Sequence, residues 1–502
     1  MSANLFDLIA AHAPEPKRVF LLTPDGRRLT YGEMIAAAGQ YANVLTDLGV
    51  RPGDRVAVQV EKSVDAILLY LGCVRTGGVY LPLNTGYTLT ELEYFIADAE
   101  PKVVVCSPEK RGGVAALAAR LGVGAVETLG DDGRSGSLIE KAAAALPDFA
   151  TVAREPGDLA AILYTSGTTG RSKGAMLTHD NLASNALVLR DYWRFTDKDV
   201  LIHALPIYHT HGLFVATNTI LLAAATMIFL ARFDAGEVIR LMPEATSLMG
   251  VPTFYVRLAQ DERMDRATAA NMRLFISGSA PLLTETHREF SARTGHAILE
   301  RYGMTETNMN TSNPYDGDRM AGTVGFPLPG VALRIVDADT ARPLPAGEIG
   351  MIEVKGPNVF SGYWRMPEKT ASEFRADGFF ITGDLGMIDE RGYVSIVGRG
   401  KDLIISGGLN VYPKEVEGEI DALPGVDESA VFGLAHPDFG EAVTAAVVLK
   451  PGAKLTEAEV LGALSERLAR FKLPKRVVFV EALPRNAMGK VQKAMLRETY
   501  GA

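Results

Sequence analysis

The stretch Tyr164-Thr165-Ser166-Gly167-Thr168-Thr169-Gly170-Arg171-Ser172-Lys173-Gly174 gathers glycines, hydroxyl side chains and one lysine behind an apolar run at 159–163. Glycine lets backbone N–H groups approach a ligand, hydroxyls donate hydrogen bonds, and Lys173 adds positive charge, so such a loop suits phosphate. The spacing is not that of a Walker A loop, and no strand–GxGxxG–helix fingerprint is present. Composition alone would equally describe a surface turn. Other residues able to do chemistry are the acids Glu300, Glu306 and Asp384, the cations Arg257, Arg301, Arg399, Lys401 and Lys490, and the pair His209 and His211. Taken singly, a glutamate is more often a solvated loop acid, a Gly-Asp step a turn, and a lysine near the C-terminus a mobile surface group. His209 and His211 could begin a metal site, but no third ligand lies nearby in sequence.

The elements that must position these residues read as strand–helix alternation. Short apolar runs (DRVAVQV, VYLPL, KVVVC) alternate with helical patterns through the first 150 residues, and the rhythm resumes in LAAILYTS, VLIHALP, TMIFL, SLMGVP, RLFISG and AILERYG. This predicts mostly parallel sheets covered by helices. From about Gly325 the runs ALRIVDAD, GMIEVKG and GMIDERGYVSIVG follow each other closely, as in antiparallel β structure, and a compact α+β pattern begins near Lys401.

The chain has 502 residues, 47% hydrophobic and 22% charged, with a net charge of −9. That is a globular composition, and its acidity argues against a sequence-independent grip on nucleic acid. Cys73 and Cys106 sit in apolar runs and read as buried thiols, so no disulfide framework is expected. No secretory signal opens the sequence. Residues 212–231 carry no charge and are about one bilayer span long, but threonines, an asparagine and the small-residue step 223–225 divide them. A buried helix–turn–strand is predicted rather than a membrane span, and a cytoplasmic protein, monomeric or weakly dimeric, is expected.

The string YTSGTTGRSKG resembles the phosphate-loop signature of adenylate-forming enzymes, which include acyl-CoA synthetases, luciferases and peptide-synthetase adenylation domains. Further motifs of that superfamily follow in order: Pro206-Ile207-Tyr208-His209, Gly278-Ser279-Ala280-Pro281, Tyr302-Gly303-Met304-Thr305-Glu306, Thr382-Gly383-Asp384, Gly398-Arg399-Gly400-Lys401-Asp402 and Pro484-Arg485-Asn486-Ala487-Met488-Gly489-Lys490. The resemblance implies an α/β fold: a large N-terminal domain of two αβ sheets plus a β-barrel, and a small mobile α+β C-terminal domain. The expected boundaries are 1–399, with αβ subdomains to about 324 and the barrel-like part at 325–399, then 400–502, with a hinge at Lys401.

The resemblance also implies ATP, Mg²⁺ and CoA as cofactor and co-substrates, and assigns roles. Thr165, Ser166, Gly167, Thr168, Thr169, Gly170 and Lys173 hold phosphate, Thr305 contacts phosphate, and Glu306 holds Mg²⁺. Gly278, Ser279 and Ala280 lie against adenine with Tyr302 opposite, Glu300 reads the adenine amino group, and Gly303 and Met304 complete the nucleotide site. Asp384 and Arg399 reach the ribose. Lys490 bridges the carboxylate and α-phosphate oxygens, with Asn486 where the family often has threonine. His209 gates the acid pocket, and Gly407 and Gly408 leave a channel for the pantetheine arm.

Arg301 stands directly before Tyr302, where relatives using apolar acids carry a small or apolar residue, and Arg257 follows the Val251-Pro252-Thr253 turn. A buried arginine without a partner is costly, and its planar fork matches a carboxylate, so two of them suggest a second, non-reacting carboxylate on the substrate. Pairing with protein acids such as Glu300 or Glu262 is the alternative. With ERYGMTETNMNTSNPYDGDR, VPTFYVR and the HTHG after Tyr208, the sequence resembles malonyl-CoA synthetases, which implies that Arg257, Ser279 and Arg301 bind the distal carboxylate of a small dicarboxylic acid, malonate or methylmalonate. Another short acid, loading of a carrier protein, and a nucleotide sensor are the competing readings. A lysine acyltransferase acting on Lys490 is an expected partner, since acylation would remove its charge.

Overall fold

In the computed structural model the described residues are 2–165, 172–406, 409–436, 440–468, 470–486 and 489–501. The predicted alternation builds two large sheets. In the seven-stranded one, Arg55–Gln59, Val79–Pro82, Val103–Cys106 and Ala125–Thr128 run parallel, and Leu159–Thr165 joins Val79–Pro82 before turning into the antiparallel Lys173–Thr178. The nine-stranded sheet holds Thr226–Phe229, Val200–His203, Ser247–Gly250, Leu274–Ser277 and Leu299–Met304 as consecutive parallel neighbours. These strands are near-continuous apolar runs because both faces are covered, as parallel sheets require.

One core spans both sheets. The helix Val64–Arg75 is buried along its whole length, and Tyr70 from it packs on Tyr80 of the strand Val79–Pro82 and on Phe214 of the helix His211–Asn218. Cys73 lies fully buried in this core, and Cys106 in a smaller cluster beneath Leu81 and Phe95. The barrel-like stretch is a four-stranded antiparallel meander, Ala332–Val336, Gly350–Lys355, Phe380–Ile388 and Val394–Arg399. A further sheet begins at Ile404–Ser406 and has its own apolar core around Val431, Val443 and Val447.

The uncharged run folds as the predicted helix–turn–strand. Its helical half is a buried π-helix, His211–Asn218, continued by Thr219–Leu222 and followed by the strand Thr226–Phe229. Among the described residues no helix is long and apolar enough to cross a membrane.

Candidate active site

Parallel strands deliver their carboxyl ends to one edge of a sheet, and ligands bind there. Registers Met249↔His203, Gly250↔Ser277 and Ser277↔Glu300 place those ends side by side. The segments leaving them carry His209, Gly278 and Ser279; His211 and Thr253 stand at the starts of the helices that follow, and Arg301 lies in the strand Leu299–Met304 itself. Residues distant in sequence therefore line one cleft.

Arg301 is 4% exposed and has no ion pair; its Nε and Nη2 find no partner among the described residues. Burial pushes its guanidinium below the ordinary range. Glu300, one of the expected alternative partners, is engaged elsewhere: its carboxylate accepts backbone N–H groups of Gly322, at 3.4 Å, and Leu282. A Cβ on Gly278 would lie 2.3 Å from the Arg301 Cζ, so only glycine admits the guanidinium. Ser279 takes a left-handed φ of 73°, and its Oγ lies 3.3 Å from His211 Nδ1. His209 accepts the His211 N–H at Nδ1, and burial with Lys490 and Arg301 nearby lowers its pKa to about 3, so it is neutral. Arg257 lies one helical turn after Thr253 on the helix Pro252–Gln260; it is exposed and makes no hydrogen bond or ion pair among the described residues.

At the phosphate end, Lys173 Nζ lies 3.3 Å from Glu373 Oε1 and 4.0 Å from the centre of the Tyr363 ring. The Tyr363 hydroxyl reaches Glu373 Oε2 at 2.7 Å and Glu306 Oε1 at 3.0 Å. Thr165 Oγ1 is 3.5 Å from Glu306, and Thr305 is half-buried beside it. Glu306 is buried without a cation in contact, and burial raises its proton affinity. A buried carboxylate oxygen with only a phenol and a threonine against it is a fitting ligand for a hard cation such as Mg²⁺. Ser166, Gly167, Thr168, Thr169 and Gly170, expected to hold phosphate, and Gly407 and Gly408, expected at the CoA channel, lie outside the described residues.

Asp384 and Arg399, expected at the ribose, pair with each other at 2.7 Å across adjacent strands, and the Tyr302 hydroxyl donates to Asp384. Gly303 passes so close to the Asn308 carbonyl that a Cβ would lie 1.8 Å from it. Met304 and Ala280 are half-buried along the same edge. Burial raises the Glu300 pKa to about 8, so its carboxyl is protonated in the empty site and ionised in the unfolded chain above its ordinary 4.5. The folded state then holds a proton that unfolding releases, and this contribution to stability is complete below about pH 4.5 and lost as pH rises through 8. The slope is about −1.4 kcal/mol per pH unit in that window. Glu300→Gln should therefore flatten the fall of Tm between pH 5 and 8; parallel melting curves of the two ligand-free proteins would overturn this.

Lys490 enters from the C-terminal sheet's side. It keeps solvent contact, yet Arg399, Asp384, Glu306 and Arg301 all lie close enough to act on its charge, and the cleft walls with Arg399 lower its pKa. Asn486 explains the departure from threonine. Its side-chain oxygen accepts the Lys490 N–H at 2.9 Å, closing a turn in which Gly489 takes a φ of 74°. Lys401 is exposed in the turn Gly400–Asp402, and it makes no hydrogen bond or ion pair among the described residues. Its neighbour Asp402 pairs with Arg497 at 2.8 Å.

Sequence reasoning missed Tyr363, Glu373, Lys62 and His203; it weighed His211 as a metal ligand and as part of the HTHG string beside the acid pocket. Tyr363 and Glu373 lie in the connection between Gly350–Lys355 and Phe380–Ile388, where Gly362–Tyr363 pairs with Lys173–Thr178, so no local pattern marks them as neighbours of Lys173.

Residues 9–364 match the AMP-binding enzyme family and residues 415–490 the AMP-binding enzyme C-terminal domain. The chain is 34% identical to a malonate–CoA ligase from Arabidopsis thaliana, over 95% of this chain and 85% of that one. It is 36% identical to a feruloyl-CoA synthase from an Amycolatopsis species, over 95% of each. The structure superposes on ATP-bound MatB from Rhodopseudomonas palustris with a TM-score of 0.98 at 66% identity, covering 100% of this chain and 99% of that one. Against the apo form of that protein, at the same identity, the TM-score is 0.87, so the arrangement here follows the ATP-bound neighbour. With the family's two regions matched over most of the length and the ATP-bound relative overlaid end to end, the chain belongs to the AMP-binding enzyme family.

Proposed function

We propose that the protein is an ATP-dependent acid–CoA ligase that converts malonate, ATP and CoA into malonyl-CoA, AMP and diphosphate through a malonyl-adenylate. The observation that carries the choice of acid is Arg301, buried in the acid pocket with no ion pair to an acid among the described residues. Relatives named for malonate and for ferulate match almost equally well, at 34% and 36% identity, and the 66% identity to MatB, a malonyl-CoA synthetase, supports malonate. A buried guanidinium calls for an anion, and a ferulate-like acid brings only the carboxylate that must react.

Malonate brings two. Its distal carboxylate meets Arg301 and Ser279, and the solvent-facing Arg257 stands one turn away from Thr253, at the pocket mouth. Its other carboxylate then faces the α-phosphate of ATP. That oxygen attacks phosphorus and diphosphate leaves. Two anions must be brought together, so the work is positioning and electrostatic stabilisation. Lys490 lies between the acid end and the nucleotide end, where its ammonium offsets charge on both. Lys173 and Thr165 receive the β- and γ-phosphates, and the Asp384–Arg399 pair and Tyr302 hold the ribose and base side. Mg²⁺, held by Glu306, supplies charge neutralisation to the phosphates. In the second step the CoA sulfur attacks the acyl carbon, AMP departs and the thiol proton is released. Rotation about Lys401 brings the loop at 405–410 to the cleft; exposed Ile405 and Leu409 flank it and suit an apolar pantetheine arm.

Methylmalonate differs by one methyl group, worth about 1–3 kcal/mol, so it is expected to react as well. The same reading makes the protein a cytoplasmic monomer or weak dimer, with the exposed Lys490 open to a lysine acyltransferase. The test is CoA- and Mg²⁺-dependent AMP release with malonate, methylmalonate, succinate, acetate and octanoate. A preference for malonate is expected. A preference for acetate or octanoate would keep the ligase and refute the acid; AMP release from none of them would refute both.

A further inference from the structure

Lys173 is the cation that the mechanism above gives to phosphate, yet the chain itself supplies it with an anion. Its Nζ lies 3.3 Å from Glu373 Oε1, an acid 200 residues further on, and its ammonium stands on the face of the Tyr363 ring. The two charged side chains are only 10% and 19% exposed, so water does little to weaken the pair.

The backbone fixes where both groups start. Lys173 opens the strand Lys173–Thr178 and pairs with Thr165 across the hairpin. Gly362–Tyr363 pairs with the same strand, the Trp364 N–H donates to the Gly174 carbonyl at 2.7 Å, and the Phe360 N–H donates to the Glu306 carbonyl at 2.7 Å. The helix Pro367–Ser372 then ends at Glu373. Any change of partner at Lys173 is therefore made by its side chain, and a long flexible stem suits that movement.

Glu373 is held so that it can let the lysine go. Its Oε1 also accepts from Lys369 Nζ at 2.6 Å, one helical turn earlier, and its Oε2 accepts from the Tyr363 hydroxyl at 2.7 Å. Burial alone would raise the Glu373 pKa, but the bonds from Lys369 and Tyr363 and the Lys173 charge outweigh it, so the group is a carboxylate. Breaking a buried ion pair is costly when one charge is left uncompensated. Here, when Lys173 turns to a phosphate, Glu373 keeps two partners and the lysine exchanges one anion for another. The exchange runs in both directions. A lysine with phosphate as its only anion would hold diphosphate after the acyl-adenylate has formed, whereas a carboxylate within reach competes for it.

We propose that Glu373 is a positioning residue that stands in for phosphate at Lys173: it holds the ammonium before ATP arrives and takes it back as diphosphate leaves, while Lys369 and Tyr363 keep Glu373 in place. This rests on the reading of Lys173 as a phosphate-binding residue. Titration calorimetry of the full-length protein with inorganic diphosphate, without metal ion, tests it in the wild type, Glu373→Gln, Glu373→Asp, Lys173→Met and the double variant Lys173→Met/Glu373→Gln. Glutamine keeps the size of the side chain and an oxygen for the Tyr363 hydroxyl but removes the charge. Diphosphate should bind about 5- to 30-fold tighter to Glu373→Gln, between the effects expected of an exposed and a buried ion pair. Inhibition of AMP release by diphosphate should strengthen by a similar factor. Glu373→Asp, which keeps the charge but draws it back by one methylene, should fall between wild type and Glu373→Gln. On the Lys173→Met background the glutamine substitution should tighten binding far less, because the gain runs through the lysine. A purely structural acid predicts the opposite sign: diphosphate affinity equal to or below that of wild type in both Glu373 variants would overturn the proposal and leave Lys173 a phosphate ligand. An equal gain with and without Lys173 would overturn it as well. Diphosphate affinity unchanged in Lys173→Met would refute the phosphate reading itself, and the proposal with it.

Discussion

Lys490→Ala should lower adenylate formation from malonate and ATP roughly 10²–10³-fold or more, the loss expected when one preorganised charge is removed from a developing anionic centre. Equilibrium ATP binding should change far less, because Lys173, Asp384, Arg399 and Tyr302 remain. The reason is positional. Lys490 sits where Arg399, Asp384, Glu306 and Arg301 all act on its charge, so its ammonium faces the nucleotide and the acid together. Lys490→Arg should recover little, since a planar fork does not replace a compact point charge at the tip of a tight turn. Pyrophosphate exchange reads the chemical step, and titration calorimetry reads ATP binding. Full exchange activity in Lys490→Ala would remove this lysine from the mechanism. Supplied with preformed malonyl-adenylate and CoA, the variant should still make thioester, which separates the two half-reactions.

Arg301→Met should do two opposite things. Malonate loses the charged partner of its second carboxylate, which costs about 3–4 kcal/mol, or roughly 10²–10³-fold in kcat/KM. The empty protein loses an unpaired buried guanidinium, and exchange of such a group for an apolar one of similar volume is worth about 1–4 kcal/mol in its favour. Its Tm should therefore rise, by roughly 2–4 °C per kcal/mol for domains of this size. Selectivity moves toward monocarboxylates. A variant that loses malonate activity and also melts lower would mean that Arg301 is a structural residue. One that keeps malonate selectivity would refute its role as the carboxylate's partner. Such opposition between stability and activity is what a group stored for a ligand predicts.

The strands of the parallel sheets were legible because each is an apolar run between turn residues, from Arg55–Gln59 to Leu299–Met304. Lys173, Glu306 and Asp384 stood out in the sequence because each sits in a contiguous motif. Arg301 was legible because an arginine beside Tyr302 is out of place unless an anion is near. Arg257 was only half legible: its place one turn after Thr253 agrees with a pocket role, but the structure leaves its side chain in solvent. Tyr363 and Glu373 were not legible, because their contacts with Lys173 and Glu306 join segments about 60 to 200 residues apart, and no local spacing encodes that.

By itself, then, the amino-acid sequence determined the sheets, the order of the motifs and the types of the groups that meet the nucleotide, since apolar periodicity and short motifs are local properties of the chain. Tertiary structure alone decided which groups stay unpaired. Whether Arg301 finds an acid, and whether His211 Nε2 finds a partner, depend on distances between strand ends that no run of residues contains. The acid that this protein is built to take follows from those unmet groups, because a buried donor or charge left without a partner in the folded chain is stabilised only when its ligand arrives.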